Sequence, residues 1–372
     1  MKMFLKLHDI LEESPFFNHI PSKKDETWRF SSLHNYLDKE YNKDFHHDEE
    51  SPISTKDKYC LHIRDGQLQE QDLPDSVHIK QHPQNFEVSN NPFACLSSNE
   101  ASSPLELIFY ENIDLGVYFS YSNQSYVNSS LNIILKEGVK AKVYLHYSGG
   151  DESFISHASQ FQVQTNAQLY LTQIQALSSG AAFISQNSFH LQEKATLKSF
   201  CLLYSGEYLH NFVNVDLHFK AEAEISSILL SSQKQKHVFS CEIEHLADQS
   251  KSELISKQVI KDNSTCVFDA NTRIQANTHA CEATQSSRAL LLSESAQIHS
   301  KPHLEIYSDD LKASHGTTVG ELDKEALSYL CSRGISSAKA KEILIGAFIN
   351  ELIQKSEALG FQERIFELVG ES

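Results

Sequence analysis

The four residues Lys140-Ala141-Lys142-Val143 return in altered form along the chain, and this recurrence predicts the fold. The later copies share an x-Ala-x-apolar pattern and lie at Asn166–Leu169, Lys194–Leu197 and Glu222–Ile225. Their alanines, beginning with Ala141, recur at a step of about 28 residues, which is typical of a solenoid or another repeat array.

Weaker copies extend the pattern towards the C-terminus. Lys251–Leu254 follows Ala223 at a similar step but carries Ser252 where the pattern has alanine, and Ser295–Ile298 is a possible later copy. Between the copies, apolar residues alternate with polar ones, which is the period of a β-strand. Strands without intervening helices favour a β-helix whose coils stack, with small alanines at tight inner corners. On strand spacing alone, a two-sheet sandwich is the alternative.

Both ends of the chain differ in texture from this body. The sequence predicts an N-terminal helical arm and linker at 1–56, an irregular lead-in at 57–104, a β-helix core at 105–319 and a C-terminal helical domain at 320–372. The fold class is therefore mainly β, a solenoid-like β-helix flanked by α-helical segments. Helical ends would cover the unpaired backbone groups that the end coils of a solenoid expose.

The C-terminal helices are predicted from their caps and apolar spacing. Asp323 is a good N-cap, and Gly334 ends the first helix. Its buried stripe is predicted to be Ala326, Leu327 and Leu330. The next helix follows Ser336, and its stripe is predicted to be Ala340, Ile343, Leu344, Ala347, Phe348 and Leu352. A last short amphipathic helix is expected at Phe361–Val369, either packed on the preceding helix or offered to a partner.

Composition narrows the class of protein. The 372 residues carry a formal net charge of −17, which argues against a nucleic-acid partner because phosphate binding needs a basic surface. Mean hydropathy is −0.38, and no stretch approaches the ~20 apolar residues of a membrane span. The seven cysteines form no CxxC pair, which predicts free thiols in a cytoplasmic protein.

Catalytic signatures give little support to an enzyme. The sequence contains no P-loop, no dinucleotide-binding GxGxxG after a strand, no GxSxG and no HExxH. We therefore expect a non-catalytic protein. The best chemical candidate is His315, in a polar stretch expected to form a turn, as a metal ligand or as a structural hydrogen-bonding group. Asp309 and Asp310 are either hard oxygen ligands or turn-forming residues.

The segment SDDLKASHGTTVGELDKEALSYLCSRG, Ser308–Gly334, adds a family resemblance. It resembles the C-terminal signature of the SufB/SufD family, the paired subunits of the Suf iron–sulfur cluster assembly machinery. The block from Asn277 to Tyr307 resembles the segment that precedes this signature. The SufD branch fits better, because Ala296 lies in the block where SufB-type sequences carry a cysteine, and because Gly316 follows His315 where they carry glutamate.

The resemblance implies a function and a set of partners. It implies a scaffold subunit with a β-helix core that pairs with a SufB-like chain and docks the ATPase SufC, so that ATP acts only through that partner. His315 would contact iron or a nascent cluster at the SufB interface, with Asp309, Asp310, Ser314 and Gly316 positioning it. The resemblance does not decide whether the chain binds a flavin or whether the isolated chain forms a homodimer. Ala313 stands where many SufD sequences have a cysteine, which removes one soft ligand.

The docking surface and the rival functions complete these expectations. The C-terminal helices would dock the ATPase through Leu327, Leu330, Arg333, Ile343, Phe348 and Phe366. One rival is a β-helix polysaccharide lyase or esterase, which needs carboxylates and basic residues stacked on adjacent coils. The other is a structural solenoid without a metal role.

Overall fold

The structure is a computed structural model that describes residues 4–17, 20–22, 24–25, 28–29, 33–42, 57–81 and 91–355. The N-terminal arm contains a two-stranded antiparallel pair, β1 (Phe4–Lys6) and β2 (Glu40–Asn42). The helices are α1 (Leu7–Glu13), α2 (His34–Leu37), α3 (Pro92–Glu100), α4 (Lys324–Ser332) and α5 (Ser337–Lys355). Among these described helices, none combines the length and apolar content that crossing a membrane requires.

Two long sheets form the body. Sheet 1 contains, in spatial order, β4 (Gln67–Asp72), β3 (Cys60–Arg64), β7 (Ile113–Tyr121), β9 (Lys140–Gly149), β11 (Gln168–Leu177), β13 (Thr196–Tyr204), β15 (Glu222–Ser231), β17 (Lys251–Ile260), β19 (Cys281–Leu291) and β21 (Leu311–Glu321). Sheet 2 contains β5 (Val77–Gln81), β6 (Leu105–Phe109), β8 (Tyr126–Leu135), β10 (Phe154–Val163), β12 (Ala182–Leu191), β14 (Tyr208–Leu217), β16 (Lys236–His245), β18 (Thr265–Ile274) and β20 (Gln297–Ile306).

The chain alternates between the two sheets, so each coil contributes one strand to each. From β6 to β21 this makes about eight coils, and each strand pairs in parallel with the strand one coil away. The predicted mainly-β solenoid with helical segments at both ends is therefore confirmed, and the sandwich alternative is not. The four domain boundaries stay a prediction, although β3 and β5 already pair with β7 and β6.

The predicted repeat of about 28 residues matches the average coil, but the predicted register between neighbouring coils was wrong at two places. Ala167 and Ala195 occupy equivalent places, but Ala141 pairs with Leu169, and Ala223 pairs with Leu197. The error is two residues each time, so the inward face was still assigned correctly. Ala296 is no copy within sheet 1, because it precedes β20 of sheet 2. All four alanines are buried, but only Ala167 and Ala195 lie at corners, because Ala141 and Ala223 lie inside β9 and β15.

The corners use left-handed backbone to link one coil to the next. Asn166, Lys194 and Lys220 have φ angles of 58°, 56° and 57°. The Asn166 amide donates to the carbonyl of Glu193 at 3.0 Å, and the Lys194 amide donates to that of Phe219 at 2.9 Å. A left-handed non-glycine residue costs about 1 kcal/mol. The hydrogen bond to the next coil offsets this cost and holds the stacking register.

The N-terminal arm covers the outer face of sheet 2. Trp28 is buried, with its ring centroid 5.0 Å from that of His210 and 5.7 Å from that of Phe212. Phe93 of α3 packs against the same indole at 5.4 Å. The solenoid core proper lies between the sheets, where inward-facing Leu, Val, Ile and Phe residues of successive coils stack.

The C-terminal caps are confirmed, whereas the buried stripes were only partly right, since Ala340 and Leu352 are buried as predicted but Ile343 and Ala347 are exposed. The Asp323 carboxylate accepts hydrogen bonds from the amides of Glu325 and Ala326, and Gly334 has a φ of 87°. No residue of α4 is buried, so the stripe predicted there is only half-buried. On α5 the buried residues are Ala340, Ile349, Leu352 and Ile353. The face that carries Ile349 and Ile353 packs against sheet 1, because apolar side chains of the sheet contact it there and Lys257 forms an ion pair with Glu351.

Candidate functional site

The C-terminal end of the solenoid is open. β20 and β21 are the last strands of their sheets in the described part of the chain, so each has one edge of backbone groups without a strand partner there. At the other end, β4 and β5 pair antiparallel with their neighbours, and β4 is polar and mostly exposed. A polar, antiparallel end strand discourages further pairing, whereas a long parallel edge invites it.

His315 lies on this open edge, in the middle of β21. The predicted turn at this residue was wrong, because His315 pairs in register with Gln285 of β19. Paired residues of a parallel sheet point to the same side. Since Gln285 is buried in the solenoid interior, His315 also faces inward. It is nevertheless exposed, because no further described coil covers it.

The residues around His315 form a mouth at the end of the interior. The side-chain amide of Gln285 donates to Thr272 across the coil and to the carbonyl of His303 at 3.1 Å. Thr272 pairs with Leu304 of β20 in register. His315 therefore lies across the mouth from Leu304, one coil above the contact between Gln285 and Thr272.

Asp309 and Asp310 form the bend between β20 and β21. The carbonyl of Asp310 accepts from the Ala280 amide at 2.8 Å, and its carboxylate accepts from the same amide at 3.2 Å. Asp310 thus attaches the last corner to the corner below. His315 follows Asp310 by five residue steps along an extended strand, a distance of about 16 Å. The structure does not place these carboxylates near the imidazole of His315. Asp309 and Asp310 could therefore position His315 only by fixing the start of β21.

Ser314 and Gly316 flank His315 on the outer face of sheet 1, because they pair with Thr284 and Ser286 of β19. A methyl group built on Gly316 would meet no atom within 4 Å. Glycine is therefore not required there by contacts among the described residues. An edge glycine with open space leaves room for another backbone to approach.

The buried thiols of the solenoid are not available as metal ligands at the mouth. Cys281, the nearest along β19, is buried beneath Leu311, and Ala313 occupies the next inward position of β21. Burial raises the pKa of Cys266 to about 12 and raises that of Cys201 and Cys241 further, so these thiols stay protonated. A thiolate is the form that binds metal. Within the described residues no group of three or more His, Cys, Asp or Glu is arranged to hold a metal ion.

Exposed apolar side chains surround the mouth, and sequence reasoning missed them. Ile306, Tyr307 and Val319 are 45%, 59% and 50% exposed. On the outer face of β20, Arg273 donates to Glu305 at 2.9 Å, and this hydrogen bond lowers the pKa of the Glu305 carboxyl. Apolar residues rimmed by paired charges are typical of a protein-binding surface. The signal in the sequence was the presence of these apolar residues near the C-terminal end of the predicted core.

The predicted docking residues on the C-terminal helices are only partly accessible. Leu327, Leu330 and Phe348 are half-buried, whereas Arg333 and Ile343 are exposed. The Arg333 guanidinium stacks over Tyr329 at 5.1 Å. Ile343 lines a groove between α5 and the ends of β15 and β17. Phe366 and the helix expected at Phe361–Val369 lie outside the described residues.

Comparisons with known proteins agree on one family. Residues 118–348 match the family described as SUF system FeS cluster assembly, SufBD core domain. The chain is 24% identical over 304 residues to the iron–sulfur cluster assembly protein SufD of Escherichia coli strain K12, which covers 81% of this chain and 71% of that protein.

Two further relatives match over shorter spans. SufD of Bacillus subtilis strain 168 is 27% identical over 146 residues, covering 39% of this chain and 33% of that protein. The chloroplastic protein ABCI7 of Arabidopsis thaliana is 27% identical over 234 residues, covering 61% of this chain and 49% of that protein.

Proposed function

Because the chain belongs to the SufBD family of SUF-system iron–sulfur cluster assembly proteins and is of the SufD type, we propose that it is a non-catalytic scaffold subunit. In this proposal it pairs with a SufB-like chain in the cytoplasm, docks a SufC-like ATPase and helps to build and transfer nascent clusters. The seven cysteines are all free, as a reducing compartment favours.

The observation that carries the proposal is the asymmetry of the two solenoid ends. The end formed by β20 and β21 combines strand edges that no other described strand pairs with and the exposed side chains of Ile306, Tyr307 and Val319. Such an edge binds another strand readily and is a liability in a protein that acts alone. A paralogue with its own open end would extend both sheets and cover these side chains.

His315 is the residue of this chain that we propose for contact with the cluster. It faces the mouth, it is exposed, and imidazole is a suitable ligand for iron. Because the nearby thiols are buried, thiolates would come from the SufB-like partner. The cluster is the cargo of such a site, passed on after assembly.

We propose that the ATPase docks on the exposed side of α4 and α5. Ile343 in its groove and Arg333 on Tyr329 offer an apolar and a cationic contact, with Leu327, Leu330 and Phe348 at the margin. ATP would then act on this subunit only through that partner.

Replacing Val319 by lysine should prevent pairing with the SufB-like chain. A charge on the exposed face of an edge strand costs little in the isolated protein but blocks edge-to-edge association. We expect co-purified partner to fall by about tenfold or more. Leu246→Lys is the matched control, since Leu246 is exposed but lies two coils from the mouth. Equal partner recovery from the two variants would exclude this surface.

The role of His315 is tested by purifying the tagged chain from its own cells and measuring bound proteins, iron and acid-labile sulfide. His315→Ala should keep both partners and lower iron and sulfide by about tenfold, as loss of a metal ligand or its support does. His303→Ala is the control, because His303 is also exposed but sits on the outer face of β20.

The outcomes of that purification separate the parts of the proposal. Unchanged iron and sulfide with both partners present would restrict His315 to a structural role. A chain that emerges alone or as a homodimer, without iron, would overturn the scaffold role itself.

A further inference from the structure

Two polar side chains lie where the solenoid interior is otherwise apolar. Gln285 of β19 and Thr272 of β18 each belong to a column of inward-facing residues that pair in register from strand to strand. The earlier members of the sheet 1 column are Leu115, Val143, Leu171, Ser199, Ile225 and Leu254. Those of the sheet 2 column, from Leu107 to Ile243, are all apolar. A buried polar pair at the mouth end of apolar columns is costly unless it is hydrogen-bonded.

The side-chain amide of Gln285 is held in one orientation. Its Nε2 donates to the hydroxyl of Thr272 and to the carbonyl oxygen of His303, the latter at 3.1 Å. A backbone carbonyl can only accept, so the amide nitrogen must face it and the amide cannot be flipped. Both hydrogens of the NH2 group are then in use, and only the carbonyl oxygen, Oε1, is left to bond elsewhere.

This Oε1 atom has no hydrogen-bond partner among the described residues, although Gln285 is only 3% exposed. A buried acceptor without a partner is costly, and native proteins rarely retain one. Leu254, in register on the coil below, has no side-chain donor. Ser287, the next residue on the same face of β19, donates its hydroxyl to Gln258 at 3.3 Å. The remaining neighbour in register is His315 on the coil above.

We propose that Gln285 positions His315 by accepting a hydrogen bond from one N–H of its imidazole. The two residues pair in register, so their side chains face the same way. Adjacent strands lie about 4.8 Å apart, and rotation of the exposed ring towards the interior brings a ring nitrogen within the ~3 Å of a hydrogen bond. Thr317, the next polar residue on this face of β21, pairs with Ser287 and lies over a different column.

Such a hydrogen bond fixes which ring nitrogen of His315 carries the proton. A neutral imidazole has two tautomers, and an acceptor in a fixed place selects one of them. The other nitrogen then keeps its lone pair free towards the mouth, which is how a supporting hydrogen bond prepares a histidine for metal. This consequence for the cluster rests on the proposed function of His315, whereas the hydrogen bond itself does not.

The test measures the tautomer of His315 by 15N NMR on the full-length chain labelled at histidine. Spectra are recorded at pH 8, above the ordinary pKa of an imidazole, and the His315 signals are identified by their loss in His315→Ala. One tautomer should dominate in the wild type. Gln285→Met removes the acceptor but keeps the length of the side chain, so it should lower the ratio of the two tautomers by about fivefold or more.

Gln258→Met is the matched control for this measurement. Gln258 is also a buried interior glutamine, but its amide is bonded to Ser256 and Ser287, and it pairs with Ala289, away from His315. We expect it to leave the tautomer ratio at the wild-type value. No change in Gln285→Met, or an equal change in both variants, would overturn the positioning role of Gln285.

Iron and acid-labile sulfide in the co-purified complex separate this role from the proposed function. Gln285→Met should lower both by about tenfold and should add nothing to His315→Ala. A changed tautomer in Gln285→Met with unchanged iron in His315→Ala would support the hydrogen bond and overturn the contact of His315 with the cluster. Loss of iron in His315→Ala with a wild-type tautomer ratio in Gln285→Met would keep that contact and overturn the role of Gln285.

Discussion

We expect the free energy of unfolding to fall by about 6 kcal/mol between pH 6.5 and pH 5, because four buried histidines must stay neutral in the folded protein. Burial lowers the pKa of His157 to about 3 and that of His237 and His245 to about 4. Burial also lowers the pKa of His210 well below its ordinary value, with a smaller contribution from Lys236.

Their hydrogen bonds suit the neutral form. The two ring nitrogens of His157 bond to the hydroxyls of Ser129 and Ser159 at 2.8 and 2.7 Å. Those of His245 bond to Ser250 and Ser252 at 2.8 and 2.9 Å. In each pair of serines, one hydroxyl can donate to the unprotonated ring nitrogen and the other can accept from the ring N–H. Each neutral imidazole therefore has both of its hydrogen bonds.

The sign of the effect follows from proton uptake. Below pH 6.5 the unfolded chain protonates these histidines, whereas the folded protein does not until its lower pKa values are reached. The stability they contribute is full above pH 6.5 and is lost as the pH falls towards 4. Each histidine accounts for roughly 1 to 2 kcal/mol by pH 5. Glu242 acts in the opposite direction, since desolvation raises its pKa, but it is a single group.

Urea unfolding followed by circular dichroism from pH 7 to pH 5 measures this slope. His157→Gln should flatten it by about a quarter, since one of four titrating groups is gone. His279→Gln should leave the slope unchanged, because that side chain is 65% exposed. A free energy of unfolding that stays level from pH 6.5 to pH 5 would contradict the assignment of neutral buried histidines.

The solenoid was predictable because its signal is repeated along the chain. A recurring step and a period of two define coils and faces, and both survive a small register error at single coils. The exact register was not predictable, since the true step is shorter between β13 and β15, where Thr196 pairs with Glu222, than between β17 and β19, where Lys251 pairs with Glu282. The corners between strands differ in length by a few residues, and these differences leave no periodic pattern in the sequence.

The sequence identified candidate residues of the site but not the structure in which they lie. The Ser, Thr and Gly around His315 are typical of a turn, yet β21 is a strand because β19 offers a complete ladder of hydrogen-bonding partners. That ladder is a long-range contact with no local signature. The stripe on α5 was only partly right for a related reason, since helical periodicity gave two usable faces and sheet 1 selected one of them.

The attachment of α5 to sheet 1 gives the second large effect, because it depends on one buried charge. The Lys257 side chain is only 3% exposed, and its Nζ lies 2.7 Å from Oε2 of Glu351 and 2.6 Å from the carbonyl oxygen of Phe348. The hydrogen bond from Lys257 lowers the pKa of the Glu351 carboxyl. The ammonium group has lost its water and relies on these two oxygens.

We therefore expect Glu351→Ala to cost about 3 kcal/mol in the attachment of α5, since it leaves a buried charge without its counter-ion. Hydrogen exchange of the α5 amides should accelerate by about a hundredfold. Lys257→Met should cost much less, because it removes the charge and keeps the apolar stem. In the double variant, Lys257→Met should recover most of the loss caused by Glu351→Ala.

Glu253→Ala is the matched control for this cycle. Its partner Lys355 lies at the same 2.7 Å, but both side chains are about 40% exposed, so water replaces the lost contact. An exposed pair contributes at most about 1 kcal/mol. Similar acceleration in Glu351→Ala and Glu253→Ala would show that burial of Lys257 does not matter. If Lys257→Met costs as much as Glu351→Ala, the attraction between the two side chains stabilises α5. The loss in Glu351→Ala would then not come from leaving the Lys257 charge unpaired.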